Sequence, residues 1–114
     1  MALDIEALSV RFEEQLRRVA VADSPFVTEV AGHLIAAGGK RFRPQLVYLA
    51  SEFGGGATEE DLLRAALVME LTHVASLYHD DVMDEAELRR SAPSANSRWG
   101  NSIAILTGDY LFAK

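Results

Sequence analysis

Cysteine is absent from this chain of 114 residues, tryptophan occurs once, and no apolar run comes near the roughly 20 residues that a membrane-spanning helix needs. Without thiols, neither a disulfide framework nor a thiolate metal site can form, and nothing in the composition points to an oxidising compartment. A cationic excess is missing too: 11 basic against 17 acidic residues leave a net charge of -6, which argues against general nucleic-acid binding. The opening stretch "MALDIEALSVRFEEQLRR" has acidic residues where a secretory leader would carry a basic segment, so the expected location is the cytoplasm. Period-two alternation, internal repeats and low-complexity tracts are also missing.

What is present is apolar material, 49% of residues, enough to bury one ordinary core. Residues 3 to 21 space Leu8, Phe12, Leu16 and Val19 by three or four, which predicts a helix with one buried stripe. Asp23 or Ser24 is the expected N-cap of a second helix, with Pro25 in its first turn, Phe26, Val30 and Leu34 inward, and Gly38-Gly39 as its end. Pro44 suits the first turn of a third helix, in which Leu46, Val47, Leu49, Ala50 and Phe53 are expected inside. The run "GGGA" at 54 to 57 breaks it, and Thr58 with Asp61 predicts a capped start to a fourth helix. That helix meets no Gly or Pro until beyond residue 86, which predicts a rod of roughly 40 Å. The segment "RRSAPSANSRWGN" reads as a loop that is free to move and holds one helical turn, and "SIAILTGDYLFAK" begins a further helix that stops without a capping glycine, as if cut. The expected fold class is all-α.

The stretch "LYHDDVMDEAELRR" at 77 to 90 concentrates the charge. At 100° per residue, with His73 as zero, Asp80 falls near -20° and Asp84 near +20°, in line with Leu62, Ala66 and Met69 higher up the same helix. A stripe that is apolar at one end and carboxylate-bearing at the other predicts a cavity wall. Asp80 and Asp84, one turn apart with Asp81 beside them, repel each other unless a cation intervenes, and a thiol-free carboxylate set favours Mg²⁺. Five of the eleven basic residues gather in two short segments, Lys40, Arg41 and Arg43 and then Arg89 and Arg90, a distribution that points to a local anionic ligand.

Three segments in order, "GGKRFRP" at 38 to 44, "ELTHVASLYHDDVMDEAELRR" at 70 to 90 and "LTGDYLFA" at 106 to 113, resemble the trans-type isoprenyl diphosphate synthases, the polyprenyl synthetase family. The resemblance implies a helical bundle of the isoprenoid synthase type that joins isopentenyl diphosphate head to tail to an allylic diphosphate, with Mg²⁺ as cofactor and a homodimer as the assembly. Carried over by position, Asp80 and Asp84 hold the metal with Asp81 in support, and Arg89 contacts the allylic diphosphate. Lys40, Arg43, His73 and Arg90 take isopentenyl diphosphate, while Arg41 receives no role. Small residues at the fifth and fourth positions before the first aspartate, Ala75 and Ser76, imply a product of geranylgeranyl length or longer. Residues 1–114 then amount to the N-terminal part of a single domain, expected to be inactive alone because the family's second aspartate-rich motif is missing. Two other readings stand beside this one. A helical partner subunit would typically lose the aspartates, and an HD-type phosphohydrolase built on His79-Asp80 would need further metal ligands from His33 and His73.

Overall fold

The computed structural model describes residues 4–55, 57–89 and 91–114. Among these residues six helices account for nearly all of the regular structure: α1 (Ile5–Val19), α2 (Pro25–Ala36), α3 (Phe42–Ser51), α4 (Glu59–Met83), α5 (Ala95–Trp99) and α6 (Asn101–Ala113). Their starts follow local chemistry. Asp4, Ser24, Thr58 and Ser94 each accept a hydrogen bond from a backbone N–H in the first turn of α1, α2, α4 and α5, satisfying donors that the helix itself leaves orphaned. Ser24 rather than Asp23 is the cap of α2, and Gly38, at φ 86°, turns the chain beyond its end.

The predicted stripe of α1 is correct, with Leu8, Phe12 and Leu16 buried, and in α2 Val30 and Leu34 are buried while Phe26 stays exposed. The face of α3 is reversed from expectation. Pro44 and Tyr48 are buried against α4, whereas Leu46, Leu49, Ala50 and Phe53 point outward and Val47 is half-buried. An apolar residue on every side leaves the inward face undetermined by periodicity, so packing on α4 decides it.

α4 is the centre, packing against α6, α3 and α1. It ends at Met83, three residues earlier than predicted, in a turn that the sequence disguises. Glu85 adopts φ 53°, its N–H donates to the Val82 carbonyl at 3.2 Å, and the Ala86 N–H donates to the Asp81 carbonyl at 2.9 Å. This is a Schellman closure with glutamate where glycine is usual. The segment that follows is fixed rather than loose. A two-residue antiparallel hairpin, β1 (Leu88–Arg89) and β2 (Ala92–Pro93), is tied back by Ser94 Oγ and Asn96 Nδ2, which donate to the Ala86 carbonyl at 2.6 and 2.9 Å. On its far side, His33 of α2 donates from Nε2 to the Pro93 carbonyl at 2.6 Å, and its ring meets Trp99 edge to face.

Tyr78, fully buried on α4, donates its hydroxyl to the Val30 carbonyl at 2.5 Å and accepts from the Leu34 N–H at 3.3 Å, inserting itself into one turn of α2. Burial pushes this hydroxyl up to about 12, against two backbone hydrogen bonds that act the other way. Burial, with the Glu13 carboxylate adding to it, pushes the Tyr48 hydroxyl up to about 12 as well. A phenol that ionises at an ordinary 10.0 when unfolded and near 12 when folded contributes stability that is complete below pH 10.0 and is lost as the pH rises towards 12. Phenolate absorbance compared between the wild type and Tyr78→Phe should therefore show the Tyr78 increment near pH 12, together with loss of helical signal. An increment near pH 10 with the helices intact would contradict the packing described.

Candidate active site

The loop between α2 and α3 and the middle of α4 enclose a cleft of about 460 Å³ lined by Gly39, Lys40, Arg41, Arg43, Glu70 and His73 among others. Three residues assigned from sequence to one diphosphate, Lys40, Arg43 and His73, thus meet across elements 30 residues apart. Among the described residues no ion pair engages Lys40 or Arg43, and both are exposed. Arg41 behaves differently. Its side chain is 11% exposed and is bound by Glu13 of α1 at 2.6 Å and by the buried Glu70 of α4 at 3.3 Å. Two carboxylates neutralise it, so the cleft's spare positive charge belongs to its neighbours. Arg90, the fourth predicted member of this cluster, lies outside the described residues.

The aspartates occupy the C-terminal end of α4. Asp80 and Asp84 are exposed, Asp84 as the C-cap, and no basic residue stands in the last turn. Carboxylates here face the negative end of the helix dipole, which opposes them by about 0.3–1 kcal/mol each. Such a placement is relieved by a cation, and oxygen-only donors suit a hard divalent ion. Asp81 points the other way, 1% exposed. Arg89 donates to it from Nε at 3.0 Å and from Nη2 at 2.5 Å. That hydrogen bond, more than the further pull of Asp80 and Asp84, raises the basicity of the Arg89 guanidinium. The sequence pairs Asp80 with Asp84 and sets Asp81 beside them in support; the structure turns Asp81 inward, where it anchors Arg89. His73 and Asp80 lie on one side of α4 roughly 10 Å apart along its axis, seven residues at 1.5 Å each.

Ala75 is fully buried, and across from it Gly108 of α6 has no room for a side chain: a Cβ there would stand 3.1 Å from the Ala75 carbonyl and inside contact distance of the His79 ring. Ser76 is half-buried and donates to the His73 carbonyl at 2.6 Å. His79 meets the Ile105 carbonyl at 3.0 Å and Asp109 at 3.3 Å, and His33 serves Pro93, so the three histidines do not converge. Among the described residues no group of three His, Asp or Glu side chains is placed to hold a metal ion by itself. No helix is long and apolar enough to cross a membrane among the described residues.

These roles separate by stability. Asp81→Asn should lower the unfolding free energy in a denaturant titration by on the order of 1–3 kcal/mol, since it disrupts a buried charge-assisted bond. Asp80→Asn should be neutral, or stabilising by up to about 1 kcal/mol, because it removes charge that opposes the helix dipole. Equal losses for both would show that Asp81 is not the anchor.

The polyprenyl synthetase family model matches residues 24–114. Over 81 residues the chain is 56% identical to a nonaprenyl diphosphate synthase of Mycobacterium tuberculosis, covering 71% of this chain and 24% of that one. The heptaprenyl diphosphate synthase structure from Staphylococcus aureus superposes with a TM-score of 0.92 at 34% identity, over 99% of this chain and 36% of that one. A polyprenyl synthase from Caulobacter crescentus, complexed with calcium and isoprenyl diphosphate, gives 0.88 at 36% identity, over 95% of this chain and 33% of that one. The chain thus spans a quarter to about a third of the length of these three proteins, and its all-α arrangement is that part of the isoprenoid synthase bundle. By motif, by helix arrangement and by this match over residues 24–114, the chain belongs to the polyprenyl synthetase family.

Proposed function

We propose that the complete protein condenses isopentenyl diphosphate with an allylic diphosphate, head to tail, releasing pyrophosphate. The observation that carries this reading is the placement, along one side of α4, of a cationic cleft and an exposed carboxylate pair at the helix end. The two features supply what two diphosphates need at neighbouring positions. Residues 1–114 are the N-terminal part of that single domain, the assembly is a homodimer, and the location is the cytoplasm. The Caulobacter relative, complexed with calcium and isoprenyl diphosphate, supports a divalent ion and this ligand class.

Asp80 and Asp84 would hold Mg²⁺, which when bound offsets the charge that builds on a departing diphosphate. Arg89, oriented by Asp81, keeps N–H donors for the same allylic diphosphate. Lys40, Arg43, His73 and Arg90 hold isopentenyl diphosphate by charge-assisted hydrogen bonds. Cations fixed before the reaction stabilise the leaving group as its carbon–oxygen bond breaks. The homoallylic double bond then attacks the allylic cation, and a proton passes to the departed pyrophosphate, so no side-chain nucleophile is needed.

The experiment is turnover of the full-length protein with both diphosphates and Mg²⁺, compared with residues 1–114 alone. Product is expected from the first and none from the second. Mg²⁺-dependent binding of a diphosphate by calorimetry separates an enzyme from a helical partner subunit, which should bind none; the retained Asp80, Asp81 and Asp84 favour the enzyme.

We also place the product at geranylgeranyl length or longer, from the small side chains of Ala75 and Ser76 and the nonaprenyl and heptaprenyl products in the names of relatives. Ser76 lies about 40° from Asp80 around α4 and Ala75 about 140°. Because Ala75 is also committed to the contact with α6, Ser76→Phe is the cleaner test: full-length protein carrying it should release shorter chains, and an unchanged product distribution would refute the assignment.

A further inference from the structure

Arg41 stands between two cations assigned to isopentenyl diphosphate and lines the same cleft, yet it is not available to a ligand. Its guanidinium is distributed among three helices. Nε donates to Glu13 Oε1 of α1 at 2.6 Å, Nη2 to the Ile35 carbonyl in the last turn of α2 at 3.0 Å, and Nη1 to Glu70 Oε1 of α4 at 3.3 Å. The loop that it belongs to has no ladder of its own. Gly38, Gly39 and Arg41 all have positive φ, at 86°, 153° and 51°, and the left-handed conformation is unfavourable for an arginine, whose Cβ crowds the following carbonyl oxygen. A residue keeps such a conformation when its surroundings over-determine it. Here the surroundings are the three acceptors.

Glu70 lies one turn before His73 on α4. The tether that secures the loop is therefore attached beside the residue that faces Lys40 and Arg43 across the cleft. We propose that Arg41 is a positioning residue: through Glu13, Glu70 and Ile35 it sets where Lys40 and Arg43 stand relative to His73, and so sets the affinity for isopentenyl diphosphate without touching it. This rests on the reading of that cleft given above. A lysine cannot substitute, because one ammonium does not reproduce a planar fork shared by three acceptors. Glu13 gives the inference a remote handle, since it does not line the cleft and is joined to it through Arg41.

The test is steady-state kinetics of the full-length protein with each diphosphate varied, alongside thermal unfolding. Arg41→Lys should raise the KM for isopentenyl diphosphate on the order of ten- to a hundred-fold, the scale of a misplacement of about 1 Å, and leave the KM for the allylic diphosphate unchanged. Glu13→Gln, on the partly exposed surface of α1, should raise the same KM by less. Loss of kcat in proportion to the folded fraction, with both KM values unchanged, would show a merely structural role and overturn the proposal. Arg43→Ala is the control. If it does not raise the KM for isopentenyl diphosphate, the cleft is not that subsite and the reading of the site fails. If it does, while Arg41→Lys and Glu13→Gln do not, the positioning role alone is refuted. Should Arg41→Lys fail to fold, the Glu13→Gln result decides.

Discussion

The bond between Arg89 and the buried carboxylate of Asp81 joins the central helix to everything that follows it. Its geometry explains why a helix with no glycine or proline near its end stops at Met83. The Asp81 carbonyl accepts the Ala86 N–H to close the turn while its side chain receives the hairpin's arginine. In the same arrangement Ser94 and Asn96 reach the Ala86 carbonyl, and His33 and Trp99 hold the segment against α2. A fully buried carboxylate is costly unless paired, so the same pairing that orients Arg89 also makes the inward Asp81 tolerable.

Charge compensation follows one rule at both ends of the site. Charges that face inward are matched within the protein: Asp81 by Arg89, and Glu70 together with Glu13 by Arg41. Charges that face outward are left for something else. Asp80 and Asp84 at the negative end of α4, and Lys40 and Arg43 at the rim of the cleft, have an electrostatic character that a divalent cation and anionic diphosphates would complete. This division separates residues that build the site from residues able to act in it, although the two kinds alternate within single motifs.

Much of the fold was legible from local chemistry. The stripe of α1, Pro25 in the first turn of α2, Gly38 beyond its end, and the Thr58 cap of α4 are all short-range effects that a sequence displays directly. The face of α3 was not, because its apolar residues surround the helix, and the inward choice of Tyr48 over Leu46 and Leu49 is made by contact with α4. Nor was the ordered segment after α4 legible: glutamate in a left-handed turn carries no composition signal, and a stretch of Ser, Asn and Pro looks loose until its side chains find the Ala86 and Glu87 carbonyls.

By itself the sequence determined the family, the all-α class and the identity of the charged residues, since each depends on residue type and spacing along one helix or one motif. Tertiary structure decided their division of labour. Helical phase put Asp80 and Asp84 together, and burial against the hairpin removed Asp81 from their company. Likewise, four adjacent positions, Lys40 to Arg43, hold three cations that are alike in sequence, and the reach of Glu13 and Glu70 from two distant helices takes Arg41 out of the set. Pairing of buried charges is a long-range constraint, and a linear motif does not record it.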